Sequence, residues 1–441
     1  MESTFYLLNL NISGIKNIEN EIRLDFYKKK ITKDFDPSRY RVKAIYGENG
    51  SGKTGIVTAV QILKELLINR NYLNQSTNQV FLNEIINKNS QSLKISCEFA
   101  ARIGTSIQVY QYSVTLAKKN PDWYEIVREK LLVKEAGSGA TMYRLVFETR
   151  DGKLAATEGE KEVSDWIETV ATNLLGTSTL NSIVIGQIKP QNNEQERLGY
   201  WTKMLVISAF GAFLNVSLAS SDQHKLFFLN ESIRNPTDSK DFIHSLNTML
   251  LQARLSSGSN SRRVPKSGFN KYEAEIQRLT RFLQLFKPDI QSIDIEKQED
   301  KNEYQCDLLL NYGSYRVHTE FESTGIKKLM QLFKSLDAAA NGDIVFIDEM
   351  DANINDIYFT KLIEYFMLYG KGQLIFTTHN TSPMSVLKKN RKSIDFLSNN
   401  NKIIPWVTNG NYKPENLYRE GMIEYLPFNV EPEDFLGILG D

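Results

Sequence analysis

The chain has 441 residues, with 53 lysines and arginines balanced by 53 aspartates and glutamates, and 41% of its residues are hydrophobic. This is the composition of a globular protein, and the length suits about three domains or one large domain with insertions. A mainly disordered chain is excluded. The balanced charge also removes the electrostatic case for a constitutive nucleic-acid or membrane coat, because such binding needs an excess of Lys and Arg.

Two further features favour a cytoplasmic protein without membrane contact. Cys97 and Cys306 are the only cysteines and neither has a CxxC partner, so we expect two buried thiols rather than a disulfide framework or a zinc site. The first residues lack the basic and apolar segments of a secretory signal. The longest apolar stretch, residues 204–219, is too short to span a bilayer, and we expect a buried helix there.

The N-terminal part predicts strands followed by a glycine-rich turn and a helix. Residues 5–12, 22–26 and 42–46 have strand composition, and the apolar residues after Lys53 follow helical spacing. Between residues 93 and 147, short runs rich in Val, Tyr, Ile and Phe return. We therefore expect a strand-turn-helix unit with an antiparallel flank.

The rest of the chain divides into a helical middle and an alternating C-terminal part. Residues 160–287 are predicted to be mainly helical, without internal repeats or a sustained heptad pattern. After Pro288, strands and helices alternate, which predicts a parallel sheet with helices on its faces. The expected strands are residues 290–295, 304–310, 344–347 and 374–377, and the expected helices are residues 325–340 and 356–368. The fold class is thus α/β, with predicted domains 1–159, 160–287 and 288–441.

The strongest motif is Gly47-Glu-Asn-Gly-Ser-Gly-Lys-Thr54, which matches the GxxxxGK[ST] pattern between a predicted strand and a predicted helix. Glycines let the backbone approach an anion closely, and the helix N-terminus supplies positive potential. Lys53 is expected to contact the terminal phosphates and Thr54 to bind Mg²⁺. A fortuitous glycine-rich turn is the alternative. The predicted nucleotide-binding residues are Gly47, Asn49, Gly50, Ser51, Gly52, Lys53 and Thr54.

A second pattern, Asp343-Ile-Val-Phe-Ile-Asp348-Glu349, is an apolar strand that ends in two acids. P-loop chemistry needs an acid at a strand end to hold hydrated Mg²⁺, and Asp348 fits this role. Glu349 would then act as the base that polarises the attacking water. Many strands end in acidic turns, so this pattern indicates a functional site only together with the P-loop motif.

A third strand, Gln373-Leu-Ile-Phe-Thr-Thr-His379, ends in one of only four histidines. Its position downstream of the acidic pair predicts that His379 reaches the γ-phosphate or its water, although a structural or surface histidine is the alternative. The other histidines show no metal-ligand spacing and are His224, His244 and His318.

The segment Glu322-Ser323-Thr324-Gly325-Ile326 precedes a predicted amphipathic helix, where Ser323 is expected to be the N-cap and Gly325 to open a second anion-binding helix start. The order of P-loop, Ser-x-Gly, Asp-Glu and histidine resembles that of ABC-type ATPase heads. Transporter heads carry Leu-Ser-Gly-Gly-Gln at this point, and the departure is typical of the SMC-like and OLD-like branch.

On these motifs the chain resembles the AAA/ABC-hybrid ATPases of bacterial phage-defence systems, the group found in OLD, AbiL-type and PARIS systems. The shared features are the segment 12–18, Glu-Ser-x-Gly, Asp348-Glu349-x-Asp351, the strand ending at His379, and Asn416-Leu-Tyr-Arg-Glu-Gly421. The resemblance covers residues 1–60 and 285–425. The middle of the chain agrees with the family only in its length and its place in the order of segments.

The resemblance implies an ABC-type P-loop ATPase head with a largely helical insertion, two copies of which enclose two ATP molecules with Mg²⁺. Ser323 and Gly325 of one subunit would meet the γ-phosphate held by Lys53 of another, and residues 352–355 would form the D-loop. The family's glutamine loop is assigned to Gln187, with Gln191 and Gln195 as alternatives.

OLD nucleases carry a Toprim domain after the ATPase, and the segment after His379 is too short for one. We therefore expect an ATP-hydrolysing sensor or scaffold that forms a homodimer or higher homo-oligomer and controls a separate effector nuclease or toxin. An SMC-like DNA-repair ATPase, binding DNA through residues 160–287, is the alternative. Lys28 to Lys33 and Arg262-Arg263 would then line a groove, but solvated loops explain both runs as well. The aromatic tail after Tyr425 is expected to dock a partner or to pack on its own lobe.

Overall fold

The computed structural model describes residues 5–28, 31, 35–104, 106–120, 123–137, 142–159, 161–187, 195–218, 262–352, 354–390, 392–407 and 413–423. The chain forms two compact units, one from residues 1–252 and 338–441 and the other from residues 253–337. Within the described ranges, no helix combines the length and the apolar composition needed to cross a bilayer. Cys97 and Cys306 are both buried, as predicted.

In chain order the strands are β1 (Phe5–Ser13), β2 (Ile22–Asp25), β3 (Val42–Tyr46), β4 (Ser92–Ile103), β5 (Ser106–Asn120), β6 (Trp123–Glu135), β7 (Arg144–Arg150), β8 (Lys153–Thr157), β9 (Leu214–Ser217), β10 (Arg262–Pro265), β11 (Ser292–Asp300), β12 (Glu303–Asn311), β13 (Arg316–His318), β14 (Ile344–Ile347), β15 (Gln373–Thr377), β16 (Ile394–Leu397) and β17 (Ile403–Pro405). The α-helices are α1 (Lys53–Ile68), α2 (Ser76–Ile85), α3 (Lys161–Ala171), α4 (Leu180–Gln187), α5 (Gln195–Phe213), α6 (Phe269–Phe286), α7 (Thr324–Ala340), α8 (Asp356–Tyr369), α9 (Met384–Leu387) and α10 (Pro414–Arg419).

The first unit contains a six-stranded sheet in the order β17-β16-β3-β15-β14-β9. Its strands pair in parallel from β16 to β9, and only β17 is antiparallel. Strands β3, β14, β15 and β16 are buried along their whole lengths, which explains their continuous apolar sequences. The predicted α/β class with a parallel sheet is confirmed.

A seven-stranded antiparallel sheet, β2-β1-β4-β5-β6-β7-β8, belongs to the same unit. The buried side chain of Gln373 on β15 joins the two sheets, because it accepts from the Leu7 backbone N–H at 2.6 Å and donates to the Leu7 carbonyl at 2.9 Å. Phe99 stacks on Phe210 of α5 with ring centroids 3.9 Å apart. A shared apolar core therefore packs the antiparallel sheet and α5 together.

The prediction of one buried helix over residues 204–219 is wrong at its C-terminal end. Helix α5 ends at Phe213, and the next residues form β9, which pairs in parallel with β14. The run fits both elements, since a short apolar segment is compatible with a buried helix and with a partly buried edge strand such as β9. Periodicity alone could not separate them.

The second unit holds a small antiparallel sheet with the order β10-β12-β11, in which β13 also pairs with β12. The expectation that the strands after Pro288 join the parallel sheet is wrong for β11 and β12. Only residues 301–302 connect these strands, and Lys301 adopts a positive φ of 36°. So short a connection can only form an antiparallel hairpin, since a parallel crossover needs about a dozen residues.

A buried acid links the antiparallel sheet to α4. Glu129 on β6 is fully buried and accepts hydrogen bonds from the Tyr112 hydroxyl and from the Leu180 backbone N–H, each at 2.8 Å. Burial raises the pKa of Glu129 to about 7, against the lowering effect of these two donors. The folded protein therefore retains a proton on Glu129 at pH values where the unfolded chain has lost it.

This proton makes the stability depend on pH. Between the ordinary pKa of 4.5 and about 7, the native state binds more protons at Glu129 than the unfolded state does, so the free energy of unfolding falls as pH rises. We expect Glu129→Gln to remove this dependence, and its stability relative to wild type should rise by about 3 kcal/mol from pH 4.5 to pH 8. Urea unfolding of both proteins across this range measures the difference. A difference that stays constant with pH would contradict the assignment.

Candidate functional site

The candidate site lies at one edge of the parallel sheet, where three neighbouring strands end. Strand β15 lies between β3 and β14 and pairs in parallel with both. The carboxyl ends of parallel strands point to the same edge, which is where open α/β sheets bind ligands. The glycine-rich loop after β3, the acidic pair after β14 and His379 after β15 therefore converge.

The loop 47–52 has the backbone expected of an anion cradle. Gly50 and Gly52 have positive φ values of 80° and 109°, a region that glycine enters without steric cost. Helix α1 starts at Lys53, and no described side chain caps its N-terminus. The N–H groups of its first turn therefore remain available for an anion.

Two segments distant in sequence brace this loop. On one side, Ile15 and Ile18 are fully buried and anchor a turn that carries Lys16 and Asn17. The Asn17 side chain donates to the Gly50 carbonyl at 2.6 Å. Since Lys16 also lines the cleft, this turn adds a second amine beside the loop.

On the other side, the turn between β16 and β17 contacts the same loop. The Asn399 amide donates to the Glu48 carboxylate, and the Asn401 amide donates to the Asn17 carbonyl at 2.8 Å. A Cβ atom added at Gly47 would lie only 2.6 Å from the Leu397 carbonyl. The loop is thus held by side-chain hydrogen bonds and by steric fit.

Lys53 provides the buried positive charge of the site. Its side chain is 7% exposed, and Nζ donates to the Gly47 carbonyl at 2.7 Å and to the Glu48 carbonyl at 2.8 Å. Burial lowers the pKa of Lys53 to about 8, and the nearby carboxylates, Asp348 first among them, oppose this shift. An anion bound next to the amine would favour its charged form further.

The acidic pair divides into one buried and one exposed side chain. Asp348 is 5% exposed, and its carboxylate accepts a hydrogen bond from the Thr377 hydroxyl at 2.7 Å. The same hydroxyl oxygen accepts from the Glu349 backbone N–H at 2.8 Å. Glu349 adopts a positive φ of 48° and its side chain is exposed. Thr377 therefore fixes one acid and orients the backbone of the other.

His379 lies in the same cleft, two residues after the end of β15. Desolvation and the positive charge of Lys53 lower the pKa of its imidazole, while Asp351, Glu349 and Asp348 oppose the shift. The imidazole is therefore neutral at pH 7, and it can both donate and accept a hydrogen bond.

These groups line an open cleft of about 170 Å³. The lining residues are Lys16, Asn17, Asn49, Gly50, Gly52, Lys53, Thr54, Gly55, Asp348, Glu349 and His379. Ser51 is also part of the loop, and its buried hydroxyl has no hydrogen-bond partner among the described residues. Amines and uncapped N–H groups suit phosphate oxygens, and the Thr54 hydroxyl and the Asp348 carboxylate are hard oxygen ligands of the kind Mg²⁺ prefers.

The other predicted residues lie elsewhere or outside the described residues. Ser323 accepts from the Ile326 backbone N–H at 3.4 Å, as expected of an N-cap, and with Gly325 it belongs to the second unit. Gln187 is the last residue of α4. Outside the described residues lie the Gln187 side chain, Gln191, Asn353 of the expected D-loop, most of the basic run 28–33, Arg262 as a side chain, and the tail after residue 423.

Sequence reasoning missed the groups that hold the site together. Thr377 was visible as a polar residue at the end of an apolar strand, but nothing assigned it a role. Lys16 and Asn17 fell within a segment noted only for its family resemblance. Asn399 and Asn401 carried no signal, because their contacts join residues more than 300 positions apart.

The two loop glycines allow a matched test of this geometry. A Cβ atom at Gly52 would lie 2.8 Å from Asn17 Oδ1 and 2.9 Å from Ile18 Cγ1, whereas at Gly50 it would meet nothing within 4 Å. Both positions have positive φ, so alanine strains the backbone at each by about 1–2 kcal/mol. We expect Gly52→Ala to lower the free energy of unfolding by more than Gly50→Ala, as measured by urea denaturation. Equal losses would show that the turn 15–18 does not press against the loop.

A comparison with protein-family models and with curated proteins finds no match for this chain. The arrangement of the cleft therefore carries the functional argument.

Proposed function

We propose that this chain is an ATPase that binds Mg²⁺-ATP at the cleft between the glycine-rich loop and the acidic pair. The observation that carries the proposal is the convergence of Lys53, Asp348, Glu349 and His379 beside an uncapped helix N-terminus. Cationic, acidic and neutral titratable groups rarely occupy one small cleft without a chemical role.

Binding would use the backbone of the loop and three side chains. The N–H groups at Gly50, Gly52 and the start of α1 would donate hydrogen bonds to phosphate oxygens, and Lys53 would contact the terminal phosphates. Thr54 and Asp348 would hold Mg²⁺, which when bound would neutralise part of the charge on the phosphates. The braced loop supports this assignment, because a preorganised cradle costs little to order on binding.

Hydrolysis would depend on the two exposed groups of the cleft. Glu349 would accept a proton from the attacking water, and its backbone N–H is held by Thr377. His379, neutral at pH 7, would hydrogen-bond the phosphoryl group as it transfers. Thr377 itself contacts both acids, so it would orient the acids rather than the nucleotide.

The wider role that we propose comes from the family resemblance. Two heads would pair so that Ser323 and Gly325 of one subunit complete the site of the other, and the assembly would control a separate effector nuclease or toxin in phage defence. Support for the pairing is that Ser323 caps α7 and that a Cβ atom at Gly325 would meet nothing within 4 Å. The space beside Gly325 is thus open, while the Ser323 hydroxyl and the Glu322 carboxylate each accept a hydrogen bond from a backbone N–H of this segment.

The ATPase assignment is tested by separating binding from hydrolysis. Lys53→Ala should weaken the affinity for a labelled ATP analogue by about 10–100-fold, because it removes a buried charged donor. Glu349→Gln should keep that affinity and lower kcat by about 10²–10⁴-fold, since only the base is lost. Isothermal titration and single-turnover hydrolysis measure the two effects.

The control for both variants is Glu364→Gln on α8, whose carboxylate pairs with Lys361 and Lys389 and does not line the cleft. It should leave affinity and kcat unchanged. Retained affinity of Lys53→Ala for the ATP analogue would contradict the P-loop assignment. Near-normal turnover by Glu349→Gln would contradict the role of Glu349 as the base.

The partner is tested with the hydrolysis-deficient chain. Glu349→Gln, purified with ATP from cells that carry its native gene neighbourhood, should elute with a stoichiometric nuclease or toxin in native mass spectrometry. The matched double variant with Ser323→Arg should bind ATP and remain unpaired, because a large cation would occupy the helix start. Elution alone would overturn the two-component role, and elution with DNA would favour an SMC-like DNA-repair ATPase.

A further inference from the structure

The loops that carry Glu349 and His379 are joined by Thr377 at the sheet edge and again by Asp356, which lies further along the chain from Glu349. The Asp356 carboxylate accepts from the Asn380 side-chain amide at 2.7 Å through one oxygen and from the Ser382 hydroxyl at 3.1 Å through the other. Asp356 is the first residue of α8, which starts directly after the loop of Glu349. One carboxylate thus links the two loops.

These contacts are not needed to start the helix. Asn355 is the N-cap of α8, and its side chain accepts from the Ile357 backbone N–H at 2.9 Å. The carboxylate of Asp356 is therefore available for contacts outside its own helix. Its negative charge at the first turn is also favourable to the helix dipole.

The segment after His379 is held by a hydrogen bond within it and by a contact with Arg419. Asn380 Oδ1 accepts from the Ser382 backbone N–H at 2.9 Å, which closes the turn that follows His379. The Thr381 hydroxyl accepts from the Arg419 guanidinium at 2.7 Å. His379 lies directly before this turn, so the direction of its imidazole depends on where the turn is held.

From this geometry we infer that Asp356 is a positioning residue that sets the placement of His379 relative to Glu349. The inference rests on the proposed ATPase function, because it matters only if both side chains act on one bound nucleotide. Thr377 fixes the near ends of the two loops at the sheet edge, and Asp356 fixes their far ends. A carboxylate suits this task, because its two oxygens accept two hydrogen bonds at once.

The test combines kinetics with a readout that needs no activity. In the full chain, Asp356→Ala should lower kcat about tenfold while the dissociation constant for ATP stays within about twofold, because misplacing a reacting group affects the chemical step more than binding. Hydrogen exchange should become faster in the peptide that covers residues 379–387 and stay unchanged in α1. Asp356→Asn should keep most of the wild-type kcat and most of the protection from exchange, since its amide oxygen can still accept a hydrogen bond from Asn380. The control, Leu368→Ala on the same helix, changes a side chain that is 64% exposed and should change neither.

A second variant guards against misfolding of the first. Ser382→Ala removes one of the two donors to Asp356 and keeps the Asn380 hydrogen bond that closes the turn. We expect smaller losses of the same kind, without further loss when Ser382→Ala is combined with Asp356→Ala. Faster exchange together with an unchanged kcat, or unchanged exchange in both variants, would overturn the inference. A wild-type chain that does not hydrolyse ATP would refute the proposed function instead, and the exchange experiment would still decide whether Asp356 holds the turn.

Discussion

The parallel pairing of β15 between β3 and β14 is the constraint on which the rest of the site depends. It aligns Thr377 with Ile45 on one side and Phe376 with Ile347 on the other. The glycine-rich loop and the acidic pair are therefore separated by one strand, whose end carries a hydroxyl. Because that hydroxyl donates to Asp348 and also accepts from the Glu349 backbone, a shift in register would disturb both acids together.

Much of this site is local in sequence and could be predicted. The order of strand, glycine-rich turn and helix around Lys53 depends on residues that are close neighbours, as does the apolar strand before Asp348. The conversion of residues 214–217 into an edge strand could not be predicted, since it depends on pairing with β14. The hairpin at residues 301–302 was missed because alternating strand and helix patterns describe composition, whereas the length of a connection decides direction.

The side chains that hold the loops in place could not be identified from the sequence. Asn17, Asn399 and Asn401 are polar residues in turns, where asparagine is common for reasons of local backbone geometry. Nothing in a single sequence distinguishes such an asparagine from one that braces a binding loop. The distinction arises only when the sheet brings residues from opposite ends of the chain together, as it does around residues 47–52.

The electrostatics of the cleft also separate the roles of Lys53 and His379. Lys53 has a pKa of about 8 and remains largely charged at pH 7, whereas the lowered pKa of His379 leaves its imidazole neutral. The two effects are connected, because the charge on Lys53 contributes to the shift at His379. Desolvation is nevertheless the larger cause of the shift at His379. The imidazole therefore stays neutral at pH 7 and can both donate and accept a hydrogen bond, whereas Lys53 supplies the positive charge beside the loop.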